Sequence, residues 1–281
     1  MFPDPGPAGP DLFTAMFSDD PVPDVQAAIV VAHPGDESVS ASWLMVRLQD
    51  RASVYCLART SHGCPAGLSH SSSPAIEYAR GAAVATLAAT AVAGVPPDRC
   101  HNLGLRESEL AHDLEMLVWL TMAVVTSAKP RLFVTHACEG RNLDHDATAF
   151  AVHMTARLLA RCGGLAPLVV EVPQHLALAD RDAHGLTLAR YAVRIEFGPE
   201  SKKVKRRMLQ CHGDTAAAIE ANTLHSESYL LAPAGNPLEA LAQTDGPYFD
   251  APWCQVADFR REAREVEAAL TLAVLSTPSP V

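Results

Sequence analysis

An unbroken apolar run, Ala28 to Ala32, ends abruptly in His33-Pro34-Gly35-Asp36-Glu37. A run without alternation predicts a strand buried on both faces, and such strands belong to parallel sheets covered by helices. Pro34 stops the strand, and Gly35 permits a turn that a side chain would resist. His33 and Asp36 therefore fall at a strand's carboxyl end, where open α/β sheets place their ligand crevice. Asp36 and Glu37 open a helix whose apolar face is read as Val39, Trp43, Val46 and Leu48. The plainest reading is structural: Asp36 an N-cap, Glu37 a first-turn acid favoured by the helix dipole, His33 a loop residue. A metal or catalytic role gains weight from a second cluster downstream.

A second strand is expected at Ala52 to Ala58. The long loop from Arg59 to Pro74 holds His62, Cys64 and His70, and a loop of that length inside a compact domain is usually functional. Helical periodicity from Ala75 to Ala93 ends at Pro96 and Pro97. A short strand around Cys100 to Leu103 leads past Glu107 and Glu109 to a helix from His112 to Ala128. Its apolar stripe is Leu114, Leu117, Val118, Met122 and Val125. Arg131 to Thr135 is another buried strand, followed by the second polar cluster, His136-Ala-Cys-Glu-Gly-Arg-Asn-Leu-Asp-His-Asp146. A helix from Asp144 to Cys162 and a strand at Leu168 to Val172 come next. This alternation predicts a doubly wound α/β sheet, with both clusters facing one crevice. Beyond Pro173, helices near Ser201 to Thr223 and at Val256 to Ala273 flank a segment, 230–253, broken by prolines. It reads as an irregular C-terminal cap, about 173–281, on a single domain of residues 25–281. Residues 1–24, rich in proline, are expected to form an extended arm draped on the body or across a partner subunit, so a homo-oligomer is an expectation.

The formal charge of −10 argues against nucleic-acid and anionic-membrane partners, which select clustered Lys and Arg. The one basic run, Lys202, Lys203, Lys205, Arg206 and Arg207, reads as the solvated side of a helix. Seven scattered cysteines with no Cys-x-x-Cys pair suit reduced thiols, and the first residues lack the pattern of a signal peptide. No uninterrupted apolar run is long enough to span a bilayer, so a cytoplasmic location is expected.

A catalytic zinc site needs three protein ligands and one open position, and a metal there lowers the pKa of water towards about 7. His33, Asp36 and His145 offer two imidazoles and a carboxylate. Asp144 and Asp146 are candidates for holding an imidazole or handling a proton, and Asp144 also reads as a helix cap.

The strand ending in AHPGDE resembles the AHPDDE motif of the PIG-L/LmbE-like family, the N-acetylglucosaminyl-phosphatidylinositol and related N-deacetylases. THACEGRNLDHDATAFAVH resembles that family's downstream motif. SHGCP, KRRMLQCH and SESYLLAP are similar more loosely, so the resemblance spans most of residues 26 to about 255. It implies a Rossmann-like α/β fold, a mostly parallel sheet flanked by helices. It also implies removal of acetyl groups from N-acetylated amino sugars or sugar conjugates with one divalent metal, generally zinc. Residue by residue, it implies His33, Asp36 and His145 as metal ligands. The family's general base, the first acid of AHPDDE, is replaced here by Gly35. A His that helps stabilise the oxyanion is replaced by Asn142, and an acid of the loop after the second strand by His62.

An amide can still donate to an oxyanion, whereas glycine offers no side chain. Losing a positioned base typically costs about 10²- to 10⁴-fold in rate. Asp144, Glu139, His136 and His62 are the candidates to replace it. Two expectations result. One is a zinc-dependent N-deacetylase with Asn142 facing the oxyanion and Asp144 handling the proton. The other is a catalytically impaired relative that binds metal and ligand or serves as an interaction protein. A nucleotide-binding protein ranks below both, because no G-x-G-x-x-G follows the first strand. Of the remaining residues, Arg141 either narrows the pocket or reaches an anionic group on the ligand, or else it faces solvent. Tyr248, Phe249 and Trp253 line a lid or anchor the core. His153 reads as half-buried or exposed, and Cys64 and Cys138 as packing residues.

Overall fold

The computed structural model describes residues 8–18, 21, 23–59, 73–162, 166–174, 192–213, 223–232, 238–239, 241 and 246–276. Seven strands form one sheet: β1 (Ala27–Val31), β2 (Ala52–Arg59), β3 (Cys100–Arg106), β4 (Leu132–His136), β5 (Leu168–Val172), β6 (Ala192–Glu196) and β7 (Ser226–Leu231). Their order is β3-β2-β1-β4-β5-β7-β6. The first five pair in parallel, while β7 runs antiparallel to both β5 and β6. The helices are α1 (Ala8–Phe17), α2 (Asp36–Ser40), α3 (Ser42–Leu48), α4 (Ser73–Val92), α5 (Leu114–Val125), α6 (Leu143–Arg161), α7 (Pro199–Gln210) and α8 (Val256–Ser276).

Strand β1 is buried along its whole length, as its unalternating sequence requires. Ala28 and Val30 join the apolar layer that contains Leu114, Phe150 and Phe259, from α5, α6 and α8. Ala27, Ile29 and Val31 join the opposite layer, with Phe13, Leu44 and Met208 from α1, α3 and α7. The sheet is thus mostly parallel and covered on both faces. From β1 the chain winds outwards through β2 to β3, then returns to lay β4 on the other side of β1. This reversal is the switch point at which doubly wound sheets open a crevice, and both polar clusters leave strands that border it.

Several local expectations are corrected. The helix after Asp36 is two short helices, because the backbone breaks at Ala41 (φ −132°). The break resets the helical phase, so Leu44, Met45 and Leu48 are buried while Val39, Trp43 and Val46 are only half-buried. Residues 8–17 are helical, not an extended arm: Phe13 and Met16 enter the core, and the Phe17 ring stacks on Trp43 at 5.7 Å. The segment after Pro173 is more than a cap, since β6 and β7 extend the sheet. Strand β6 escapes a search for buried runs because it is an edge strand, alternating between exposed and half-buried positions.

Lys205 is wholly buried and not part of a solvated basic face. His153 is buried as well, with Nε2 2.9 Å from Glu171 Oε1. The stretch Leu110–Ala128 is long and apolar enough to cross a membrane by length and composition. Here it folds as α5 with flanking 3-10 turns, and Leu114, Leu117, Val118 and Val125 are buried.

Candidate metal centre

The turn after β1 sets the first two functional groups. Gly35 adopts φ +106°, a left-handed conformation that favours glycine, and Asp36 N–H donates to His33 O at 3.2 Å. The Asp36 carboxylate does not cap its helix. Its Oδ2 folds back to accept from His33 N–H at 2.8 Å. Glu37, fully buried, accepts from Gly35 N–H at 2.8 Å and so braces the same turn.

The other groups come from the end of β4 and the start of α6. Asn142 is the N-cap of α6 and its Oδ1 accepts from His145 N–H at 2.9 Å. Leu143 N–H donates to the Asp250 carboxylate at 3.0 and 3.2 Å, an anion favoured by the helix dipole. This capping fixes the first turn, which carries Asp144 and His145 towards β1. Nitrogen and oxygen atoms of His33, Asp36 and His145 lie within 4.8 Å of one another. His145 Nε2 is 3.4 Å from Asp36 Oδ2, and His33 Nδ1 is also 3.4 Å from it.

Asp144 has no exposed surface. Its Oδ2 accepts from His33 Nε2 at 2.9 Å and from Ser108 N–H at 2.7 Å, and its Oδ1 from Leu110 N–H at 3.3 Å. With Nε2 so engaged, His33 presents Nδ1 to Asp36. Burial opposes a charged imidazole, but Asp144 and Asp36 outweigh it and hold the His33 pKa up at about 10. Burial likewise opposes the Asp36 anion, and His145 and His33 overcome this to hold it well below the ordinary carboxylate range.

His136, ending β4, stacks on His145 with ring centroids 3.9 Å apart, and its Nε2 accepts from Ala32 N–H at 2.9 Å. That bond uses the lone pair a proton acceptor would need, so the ring braces His145. Asp146 accepts from Glu139 N–H, Gly140 N–H and the Tyr248 hydroxyl, each at 2.9 Å. Burial pushes its pKa up to about 8, against those three donors. Glu139 Oε2 accepts from Gln174 N–H at 3.1 Å.

The structure therefore brings His33, Asp36 and His145 together, with Asp144 directly behind His33. Asn142 borders them as a helix cap, and among the described residues its amide nitrogen makes no hydrogen bond. His62, His70 and Cys64 lie outside the described residues. Arg141 is exposed and Cys138 is buried. Tyr248 is a core anchor, whereas Phe249 and Trp253 are exposed. Two contributors went unnoticed in the sequence, Glu37 as the brace of the turn and His212 beside it. The run KRRMLQCH was the only signal for the latter.

The chain is thus an α/β protein with a doubly wound sheet and a compact His–Asp–His cluster at its switch point. Residues 28–156 match the PIG-L family model, described as GlcNAc-PI de-N-acetylase. No curated protein matches the chain. Among solved structures, the 4-carboxy-2-hydroxymuconate hydratase GalB of Pseudomonas putida KT2440 is 15% identical, with a TM-score of 0.52 over 73% of this chain and 95% of that one. A deacetylase of teicoplanin biosynthesis is 15% identical, with a TM-score of 0.53 over 73% and 96%. The N,N'-diacetylchitobiose deacetylase of Pyrococcus horikoshii is 14% identical, with a TM-score of 0.51 over 78% and 89%. At these identities the likeness establishes the fold.

Proposed function

We propose that this chain is a zinc-dependent hydrolase that removes the acetyl group from an N-acetylated amino sugar or sugar conjugate. The observation that carries the reading is the convergence of His33, Asp36 and His145 at the switch point of the sheet, within the residues that match the PIG-L model. The donor set fits a divalent metal. Two imidazoles and one carboxylate make a catalytic zinc set, and a ligating His usually donates its other ring N–H to a carboxylate, as His33 does to Asp144. When bound, the metal supplies Lewis acidity that polarises the acetyl carbonyl and activates water.

The chain's own residues have separable tasks. Asp144, saturated by three donors, holds the His33 ring with Nδ1 inward and is better suited to positioning than to proton transfer. Asn142 offers its amide N–H groups to the developing oxyanion while its carbonyl caps α6. The described thiols are all free, which supports a cytoplasmic setting.

Amine release from a panel of N-acetylglucosamine derivatives by zinc-loaded protein tests the reading. Turnover lost on chelation and regained with zinc is the expected result. Since the same fold also carries a hydratase, absence of amine release across the panel with zinc bound would overturn the deacetylase assignment. Asp144→Asn is expected to weaken zinc binding by about 10- to 100-fold, read by competition with a chromophoric chelator. Unchanged affinity would remove Asp144 from the positioning role.

A further inference from the structure

Asp144 holds the His33 ring, and two main-chain N–H groups of the segment after β3 hold Asp144. Ser108 N–H donates to Oδ2 at 2.7 Å and Leu110 N–H to Oδ1 at 3.3 Å, while the same Oδ2 accepts from His33 Nε2 at 2.9 Å. A single carboxylate oxygen thus separates the Ser108 main chain from the His33–Asp36–His145 cluster. Strand β3 ends at Arg106, and Glu109 N–H donates back to Arg106 O at 3.3 Å. Residues 106–109 are therefore a hydrogen-bonded β-turn with Glu107 and Ser108 at its centre.

The form of this turn does not suit its sequence. Ser108 has φ +61° and Glu107 has no positive φ, the pattern of a type II turn, whose third position normally takes glycine or asparagine. Among the described residues two other non-glycines have positive φ, Gln49 and Lys129, and each caps the C-terminus of a helix, where left-handed residues are common. Ser108 ends no helix: a strand precedes it and a 3-10 turn, Leu110–Asp113, follows. Type I and type II turns differ by a flip of the central peptide, here the one that joins Glu107 to Ser108. In the observed form its N–H meets Asp144. In the type I form, which serine adopts without strain, that N–H would turn away and the Glu107 carbonyl would oppose the carboxylate.

We propose that Ser108 is a positioning residue of the metal centre: its left-handed main chain, and not its hydroxyl, fixes Asp144 and through it the orientation of the His33 ring. The role rests on the reading of His33, Asp36 and His145 as metal ligands. A strained backbone of this kind persists only where its surroundings over-determine it, and such residues cluster at functional sites. The contact that holds the strain here is the Asp144 carboxylate, already tied to His33.

The test measures the zinc affinity of the full-length protein by competition with a chromophoric chelator. The β-branch of valine resists positive φ, so Ser108→Val is expected to flip the peptide and to bind zinc about 10- to 100-fold more weakly, the loss typical of a partner behind a ligand. Glycine enters the left-handed region freely and has no hydroxyl, so Ser108→Gly is expected to restore the affinity that valine loses. Ser108→Val combined with Asp144→Asn is expected to bind as Asp144→Asn alone does, because both changes break one link. Nuclear magnetic resonance supplies a readout apart from affinity: the amide proton of residue 108, moved downfield by its bond to a carboxylate in wild type and Ser108→Gly, is expected to move upfield in Ser108→Val. A Ser108→Gly variant as weak as Ser108→Val would assign the effect to the hydroxyl, and a Ser108→Val variant as tight as wild type would remove the turn from the site. Either result overturns the proposal. Wild type that binds no zinc would instead overturn the metal-centre reading beneath it, so the two failures are distinct.

Discussion

Replacing His145 with alanine is expected to remove zinc from the protein and amine release with it. The residue supplies one of three converging donors, and its Nε2 sits 3.4 Å from the Asp36 carboxylate, the same distance as His33 Nδ1. Two donors cannot complete the three-ligand set that a catalytic zinc requires. The loss should exceed the roughly 10- to 100-fold that follows removal of a residue behind a ligand, such as Asp144. Folding should survive, because Asn142 still caps α6 through the main chain of residue 145 and the sheet is untouched. Zinc content after gel filtration, with circular dichroism alongside, checks this. Full zinc retention in the variant would mean that His145 is not a ligand.

The largest stability effect is expected at Lys205. Its ammonium group is fully buried and donates to Val39 O and to Glu227 Oε1, both at 2.6 Å. Glu227 also accepts from Ser42 N–H, Trp43 N–H and the hydroxyls of Ser42 and Tyr229. One carboxylate from β7 thus caps α3, while Lys205 balances its charge and ties α7 to the end of α2. Lys205→Met would leave that carboxylate buried without its cation, at a cost of about 3–5 kcal/mol. Lys205→Met with Glu227→Gln should recover part of the loss, since the remaining acceptor is then neutral. Urea unfolding of the single and double variants measures both values. A single variant within about 0.5 kcal/mol of wild type, the range of ordinary surface changes, would contradict the described burial.

Much of the site was legible because it depends on local signals. A strand buried on both faces must be apolar throughout, so the runs ending at His33 and His136 stood out, and the polar residues after them fell at the crevice. His33, Asp36 and His145 could then be named as possible ligands, and the resemblance to the PIG-L/LmbE-like family implied them as the set. What stayed hidden depends on contacts distant in sequence. Lys205 looked solvated because its neighbours Lys203, Arg206 and Arg207 are, yet the α7 face it occupies meets a carboxylate from β7. The phase of α3 could not be read because Glu227 starts that helix afresh. Asp144 was weighed as a base, and only its partners Ser108 and Leu110 reveal a carboxylate already filled. Strand β6 was missed because an edge strand lacks the apolar run that betrays a central one.

The most direct single measurement is anomalous diffraction at the zinc edge from crystals of the zinc-loaded protein. The expected result is one peak bonded to His33 Nδ1, His145 Nε2 and Asp36, with His33 Nε2 still on Asp144. A peak elsewhere, or none at saturating zinc, would contradict the assignment of this cluster as the metal centre.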